Sequence, residues 1–147
     1  MKKIIIALFL ITSCVYGSAQ MHTSISIGTT KNMPLGALQF GYIFKKPYIL
    51  NWGVEYDQRF FLSRIEDYGA YFGTRITGTY YLTPDQTLTA LSGGYYLMKS
   101  SDYPQLNGWA IGYGVKYKYK STFLELYHLS NRIQVSVGIH YDIVKKY

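Results

Sequence analysis

The chain has 147 residues, the length of a single domain, and a formal net charge of +7 from 15 Lys and Arg against 8 Asp and Glu. Its one cysteine, Cys14, excludes a disulfide within the chain. The 17 Tyr and 14 Gly depart from the composition of an ordinary soluble domain and suggest strands that face an interface on one side and a crowded space on the other.

The N-terminal segment has the order of a secretory signal peptide. Lys2 and Lys3 precede an apolar run over residues 4–11, which is too short to span a bilayer, and small residues lead to a predicted cleavage after Ala19. A lipoprotein-type cleavage before Cys14 is the alternative. On either interpretation the chain is exported as one domain, residues 20–147 in the first case. Export favours acidic lipid or polysaccharide over nucleic acid as the partner of the excess positive charge.

Alternation of apolar and polar residues with a period of two dominates the rest of the chain, and this pattern is typical of strands. No apolar run after residue 19 has the length of a membrane helix, and no segment has helical periodicity. In chain order, the pattern predicts strands over residues 21–30, 37–46, 50–60, 70–82, 87–98, 108–120, 122–130 and 133–147.

The predicted connections differ in length. Those after strands 1, 3 and 5 are longer and read TKNMPLG, SRIEDYG and SSDYPQLNG, whereas those after strands 2, 4 and 6 are tight and read KKPY, TPDQ and KS. Outer-membrane barrels have this asymmetry, with short periplasmic turns and longer outer loops. The hairpin after strand 7, around Ser130 and Asn131, is tight although it lies on the outer side by the strand count.

The two faces of the strands indicate how the sheet closes. One face carries Trp52, Trp109 and many other large apolar residues, which exceed the volume of an eight-stranded interior. The other face carries glycines, small hydroxyl residues and charges. We therefore predict an all-β fold, an eight-stranded antiparallel transmembrane β-barrel of the outer-membrane type, with the aromatic face in lipid. Strand 5 fits this pattern least, and Gly93 and Gly94 suggest a β-bulge that switches its register.

Nine ionisable side chains are predicted to point into the barrel. They could form ion pairs that plug the lumen, or they could serve as an ion path or a catalytic carboxylate pair. The plug is favoured because eight strands leave little room for water or substrate. His140 and Asp142 share a face, but no further metal ligand can be placed, so neither a metal nor another cofactor is predicted. The nine residues are Glu55, Asp57, Arg59, Arg75, Lys116, Lys118, Glu125, His140 and Asp142.

The end of strand 7 places two polar residues, His128 and Ser130, in line with Leu124 and Leu126 on the lipid-facing side. A hydroxyl becomes a nucleophile when an imidazole within hydrogen-bond reach accepts its proton, and residues i and i+2 on one strand face can approach that closely. The alternation therefore permits a catalytic pair that acts on an ester in the membrane itself.

This stretch resembles the His-x-Ser-Asn motif of the outer-membrane lipid A 3-O-deacylases, small eight-stranded barrels of the acyloxyacyl-hydrolase-like group. The matching residues are His128, Ser130 and Asn131. The resemblance implies that Ser130 is the nucleophile, His128 the general base and Asn131 a contributor to oxyanion stabilisation, with lipid A of lipopolysaccharide as the substrate. It covers the hairpin, extends weakly through VGIHYDI, and elsewhere is that of a generic barrel.

The third member of such a triad is not at the position that the family gives it. In the family, a longer loop follows the motif and leads to an acidic residue, whereas here that loop is missing and Asp142 is expected about 30 Å down strand 8, at ~3.3 Å per residue. Asp102, in the loop before strand 6, is a better partner for His128, and Glu66 or Asp67 could also reach it.

A non-catalytic barrel is the alternative interpretation. In that case His128 and Ser130 are polar groups at the level of the lipid headgroups, and Asn131 supplies the turn. Such a barrel would stabilise the membrane, or bind a partner through its outer loops.

Overall fold

The computed structural model describes residues 19–30, 33–44, 50–61, 70–97, 108–129 and 132–143. These residues form eight strands, and each strand is antiparallel to the next along the chain. β1 also pairs with β8, so the sheet closes and has no free edge. The strands are β1 (Ala19–Thr30), β2 (Met33–Phe44), β3 (Leu50–Phe61), β4 (Ala70–Thr83), β5 (Gln86–Leu97), β6 (Gly108–Tyr119), β7 (Thr122–Leu129) and β8 (Arg132–Asp142).

The predicted eight-stranded antiparallel barrel is thus confirmed. Within the described ranges, no helix is long and apolar enough to cross a membrane.

Polarity is inverted relative to a soluble domain. Arg75 and Glu125 are completely buried inside the barrel, whereas Trp109 and Ile111 are 81% and 77% exposed on its outer wall. Burial alternates along the strands with a period of two, as the sequence pattern predicts. An outer wall of large apolar side chains around a polar interior is the arrangement of a membrane barrel, in which lipid covers the wall.

The two ends of the barrel differ. We call the end with the two-residue turns 84–85 and 120–121 the turn end, and the end with the connections 62–69 and 98–107 the loop end. Aromatic side chains contact one another on the outer wall near both ends, as expected at membrane interfaces. The ring centroids are 5.6 Å apart for Phe72 and Tyr96, 5.4 Å for Tyr96 and Trp109, and 4.1 Å for Phe44 and Trp52.

The prediction of a long connection after strand 1 was wrong. β2 begins at Met33 rather than at residue 37, and the pairing with β1 continues to Thr30 and Met33. The segment reads as a turn in sequence, but Leu35 is buried in the lumen at 1% exposure and Pro34 still pairs with Thr29. Main-chain pairing with β1 therefore extends the sheet through residues that break the polar-inside pattern.

The prediction of a β-bulge at Gly93 and Gly94 was also wrong. The register of β5 runs unbroken through both glycines, and the irregularity between β4 and β5 lies between Tyr81 and Thr83 instead. The alternation of β5 is unclear in sequence because its inner face carries apolar residues. Leu91 and Tyr95 point inward, where they join Tyr71, Tyr127 and Leu129 in a buried apolar cluster.

Residues 1–18 and 144–147 lie outside the described part of the chain. The signal peptide, its cleavage site and the domain boundary at residue 20 therefore stay predictions.

Candidate functional site

The centre of the lumen holds a network of six charges, which we call the central network. It consists of the carboxylates of Glu55, Asp57 and Glu125 and the cationic groups of Arg59, Arg75 and Lys116. Three negative groups therefore face three positive groups, and each side chain is at most 7% exposed. Burial of an unpaired charge is very costly, so this balance is what allows the charges to stay inside the barrel.

Arg75 connects the three carboxylates of the central network. Its Nε donates to Glu55 Oε2 at 3.0 Å, and its terminal nitrogens donate to both oxygens of Glu125 and to Asp57. Arg59 donates to Asp57 Oδ2 at 2.7 Å and also bonds Glu125. Two-point contacts of this kind fix the planar guanidinium groups more firmly than single contacts would.

Aromatic rings close the lumen on the loop-end side of the central network. The Arg59 guanidinium carbon lies 4.5 Å from the centroid of the Tyr127 ring, and the Tyr95 hydroxyl donates to Asp57 Oδ2 at 2.6 Å. Tyr95 and Tyr127 meet edge to face at 5.7 Å. The predicted plug of ion pairs and hydrogen bonds is the arrangement that the described residues show.

A cavity lies on the turn-end side of the central network, and we call it the vestibule. Its lining includes His22, His140 and Lys118, together with threonines from β4 and β5. His22 and His140 stack with ring centroids 4.8 Å apart. The vestibule offers about 30 Å³ to the centres of water-sized molecules, so it is large enough to admit water.

A hydrogen-bonded Ser-His-Asp series stands beside the vestibule. Ser24 Oγ lies 3.0 Å from His140 Nδ1, and His140 Nε2 lies 3.2 Å from Asp142 Oδ1. Ser24 is 2% exposed, and the series engages both ring nitrogens of His140 in hydrogen bonds. The alternation of strand 1 put Ser24 on the inner face, but only the pairing of β1 with β8 shows that it meets His140.

The predicted inward charges are correctly placed. Glu55, Asp57, Arg59, Arg75, Lys116, Glu125 and His140 are buried, and Lys118 and Asp142 are more exposed toward the turn end. Among the residues that the structure describes, no three His, Cys, Asp or Glu side chains are arranged to hold a metal ion.

His128 lies on the outer wall, as the alternation of strand 7 predicts. Its neighbours along β7 show the alternation: Leu126 is 48% exposed, whereas Leu129 is completely buried. The imidazole stacks on Tyr113 of β6 with ring centroids 4.9 Å apart and an interplanar angle of 28°. Its Nδ1 is shielded from solvent and has no hydrogen-bond partner among the described residues.

The other predicted catalytic residues, Ser130, Asn131 and Asp102, lie outside the described residues. β7 ends at Leu129, which pairs with Arg132 of β8, so two residues connect these strands along the chain. Asp142 lies at the turn end, where it pairs with His22 across β1 and β8, whereas His128 pairs with Ile133 near the start of β8. The expectation that Asp142 cannot orient His128 is therefore supported.

No protein-family model and no curated protein matches this chain. Solved structures do. A de novo designed transmembrane β-barrel has a TM-score of 0.51 at 16% identity, with 84% of this chain and 95% of that chain covered. The Yersinia pestis outer membrane protein Ail in a phospholipid bilayer nanodisc has a TM-score of 0.49 at 12% identity, with 84% and 100% covered.

At such identities a likeness establishes the fold alone. The fold is that of a small transmembrane barrel of the outer-membrane type, in agreement with the predicted outer-membrane localisation.

Proposed function

We propose that the protein is an ester hydrolase of the outer membrane that acts on acylated lipid, with lipid A of lipopolysaccharide as the substrate class. Ser130 is the nucleophile, His128 the general base and Asn131 a donor to the oxyanion. The proposal is carried by the lipid-facing position of His128, whose ring rests on Tyr113. The lipid that surrounds the outer wall is itself the substrate, so an ester can reach this imidazole without a binding pocket in the protein.

The proposed reaction is an acyl transfer that these side chains can perform. The Ser130 oxygen attacks the ester carbonyl carbon while His128 accepts the hydroxyl proton. The tetrahedral intermediate then loses the alcohol, which takes that proton from His128 and leaves the acyl group on Ser130. Water attacks the acyl-enzyme with His128 again as the base, which releases the fatty acid and restores the Ser130 hydroxyl.

A carboxylate accelerates such a pair when it holds the imidazole through the nitrogen that does not face the serine. Nδ1 of His128 has no hydrogen-bond partner among the described residues, and it is the nitrogen that the carboxylate would hold. We assign the role to Asp102, because connection 98–107 leads into β6, the strand beside β7.

The test is mass spectrometry of lipid A from cells that produce the full chain or one of two variants. We expect loss of one acyl mass with the full chain and no loss with Ser130→Ala. Ser92→Ala is the matched control, because Ser92 is exposed on the same outer wall and pairs with Tyr113 from the other side. Heat-modifiable migration in gels reports whether each barrel is folded. Acyl loss that persists in folded Ser130→Ala would contradict the proposal.

A second candidate function is that of a non-catalytic barrel that stabilises the membrane or binds a partner through its loops. The observation that favours it is the filled lumen, in which the central network and the aromatic rings brace the wall from inside. The contact with Tyr113 by itself would then account for an imidazole on the lipid face. Identical lipid A spectra with and without the folded full chain would favour this function.

A further inference from the structure

The barrel closes where its first and last strands meet, and we call this line of contact between β1 and β8 the seam. These strands come from opposite ends of the chain, so non-covalent contacts hold them together. At the turn end of the seam, the Ile143 amide donates to the Met21 carbonyl oxygen at 2.9 Å. Inside the lumen, His22 of β1 stacks on His140 of β8 with ring centroids 4.8 Å apart and an interplanar angle of 25°. This histidine stack therefore lies across the seam.

His140 can gain a proton without losing a contact. Its Nε2 lies 3.2 Å from Asp142 Oδ1, and its Nδ1 lies 3.0 Å from Ser24 Oγ. In the neutral ring, Nε2 donates to the carboxylate and Nδ1 accepts from the Ser24 hydroxyl. After protonation Nδ1 donates instead, and the hydroxyl turns to accept that hydrogen. The positive ring then forms an ion pair with Asp142.

His22 is less suited to a further proton. Its Nε2 lies 3.6 Å from Glu55 Oε1, so the hydrogen of the neutral ring belongs on this nitrogen. Nδ1 is then an acceptor, and it has no hydrogen-bond partner within the described part of the chain. A further proton would make Nδ1 a buried donor, again without a partner there. The ring also has little room to turn, because a β-carbon on Gly41 would lie 2.6 Å from its Cε1.

The charges around the histidine stack can balance one positive ring. Asp142 contacts His140, whereas Glu55 already contacts Arg75 at 3.0 Å and Lys116 at 3.2 Å. Two positive rings 4.8 Å apart would repel each other at a buried position, where screening is weak. The other described ionisable side chains that face the stack are Tyr81 on β4 and Lys118 on β6, and the lining from β2 and β5 consists of Ile43, Thr87 and Thr89.

We infer that the histidine stack is a pH-sensitive fastening of the seam. The stack holds while at most one of its two rings is positive. A second positive charge separates the rings and loosens the turn-end part of the seam. The vestibule, whose lining includes both rings, admits the water that would deliver the protons. This inference is independent of the proposed hydrolase function, because the stack lies inside the barrel and His128 lies on its outer wall.

The first test is urea unfolding of the refolded full chain between about pH 7.5 and 5.5, a range that brackets the ordinary histidine pKa of about 6.5. The unfolded chain takes up a proton on each histidine in this range, whereas the folded stack withholds one of them. The unfolded state therefore binds more protons, and stability is lost as the pH falls. We expect the ratio of folded to unfolded protein to drop by up to about tenfold per pH unit from this cause.

Two variants separate the stack from the burial of a single ring. His22→Phe and His140→Phe each keep an aromatic ring in the stack and leave one ring that can be charged, so each should remove the stack's share of the drop. His128→Phe is the matched control, because it deletes the chain's third histidine from the outer wall and should leave the effect of His22→Phe unchanged. A share of the drop that persists in folded His140→Phe would show that burial of His22 alone withholds the proton, which would overturn the inference.

Hydrogen exchange of the folded full chain tests the inference without any substitution. After correction for the intrinsic effect of pH, we expect the amides of residues 19–24 and 140–143 to exchange severalfold faster at about pH 5.5 than at about pH 7.5. The β4–β5 hairpin, whose strands a two-residue turn connects, is the internal reference and should not change. Equal acceleration in both regions, or none in either, would also overturn the inference.

Discussion

Arg75 and Glu125 face each other in the centre of the barrel, and the two terminal nitrogens of Arg75 donate to the two carboxylate oxygens of Glu125 at 3.2 and 2.9 Å. The two residues lie on β4 and β7, which are not neighbours in the sheet, so the pair crosses the lumen. It therefore ties opposite walls together in a space from which water is largely excluded.

Removal of Arg75 alone should be strongly destabilising. Arg75→Met leaves three carboxylates against two cations, and we expect a loss of about 3–5 kcal/mol in the free energy of unfolding, the range for breaking a buried ion pair. The double variant Arg75→Met with Glu125→Leu restores the balance at two against two and should recover part of that loss. Urea titration of the refolded barrels measures both values. A double variant that is less stable than Arg75→Met would contradict the charge-balance explanation.

Inward glycines make room for the ring of Tyr127, and Gly114 tests this. A β-carbon on Gly114 would lie 2.8 Å from Tyr127 Cα and would overlap the carbonyl oxygen of Leu126, so Gly114→Ala should cost about 1–3 kcal/mol of stability. Gly78→Ala is the control on the outer wall, where no atom lies within 4 Å of the added carbon. That change should be neutral or slightly stabilising. Equal losses in the two variants, measured by urea titration, would refute the packing role of Gly114.

The turn between β6 and β7 carries a strained residue. Lys120 has a φ of 53°, the left-handed region that side chains with a β-carbon rarely adopt. Lys120→Gly should therefore stabilise the barrel by about 1 kcal/mol. Ser121→Gly, at the next position, relieves no strain and should be slightly destabilising, because it only increases the entropy of the unfolded chain. Thermal unfolding of both variants checks the prediction, which fails if Ser121→Gly gains as much as Lys120→Gly.

The proposed orientation of His128 predicts different effects for two aspartates. Asp102→Asn should slow acyl release by at least tenfold, because Nδ1 of His128 would lose its negative partner. Asp142→Asn should leave the rate unchanged, since Asp142 bonds His140 at the turn end. Rates are measured on lipid A in reconstituted bilayers, with Ser130→Ala as the inactive reference. If Asp102→Asn keeps the full rate while Ser130→Ala is inactive, another residue orients the imidazole.

The sequence predicted which side of the wall most residues occupy. A strand turns its side chains alternately to the two faces, so a period of two in polarity records the face directly. That is why the exposure of Trp109, the burial of Arg59 and the outward position of His128 all follow from the pattern. The same pattern does not indicate the face where both faces carry similar residues, as around Gly93 in β5. It also fails where apolar residues point inward, as Leu35 does in β2.

The sequence by itself therefore determined the number of strands and their inner and outer faces, which follow from local alternation. It also determined the closed barrel, because the apolar face is too large for an eight-stranded interior. Only the tertiary structure decided which residues meet. Ser24 and His140 are 116 positions apart and bond because β1 closes onto β8. The registers between strands also decide the contacts of Arg75 with three carboxylates and the stack of His128 on Tyr113. They likewise decide which side chains line the vestibule. Register is a relation between two segments, and the polarity of one segment does not contain it.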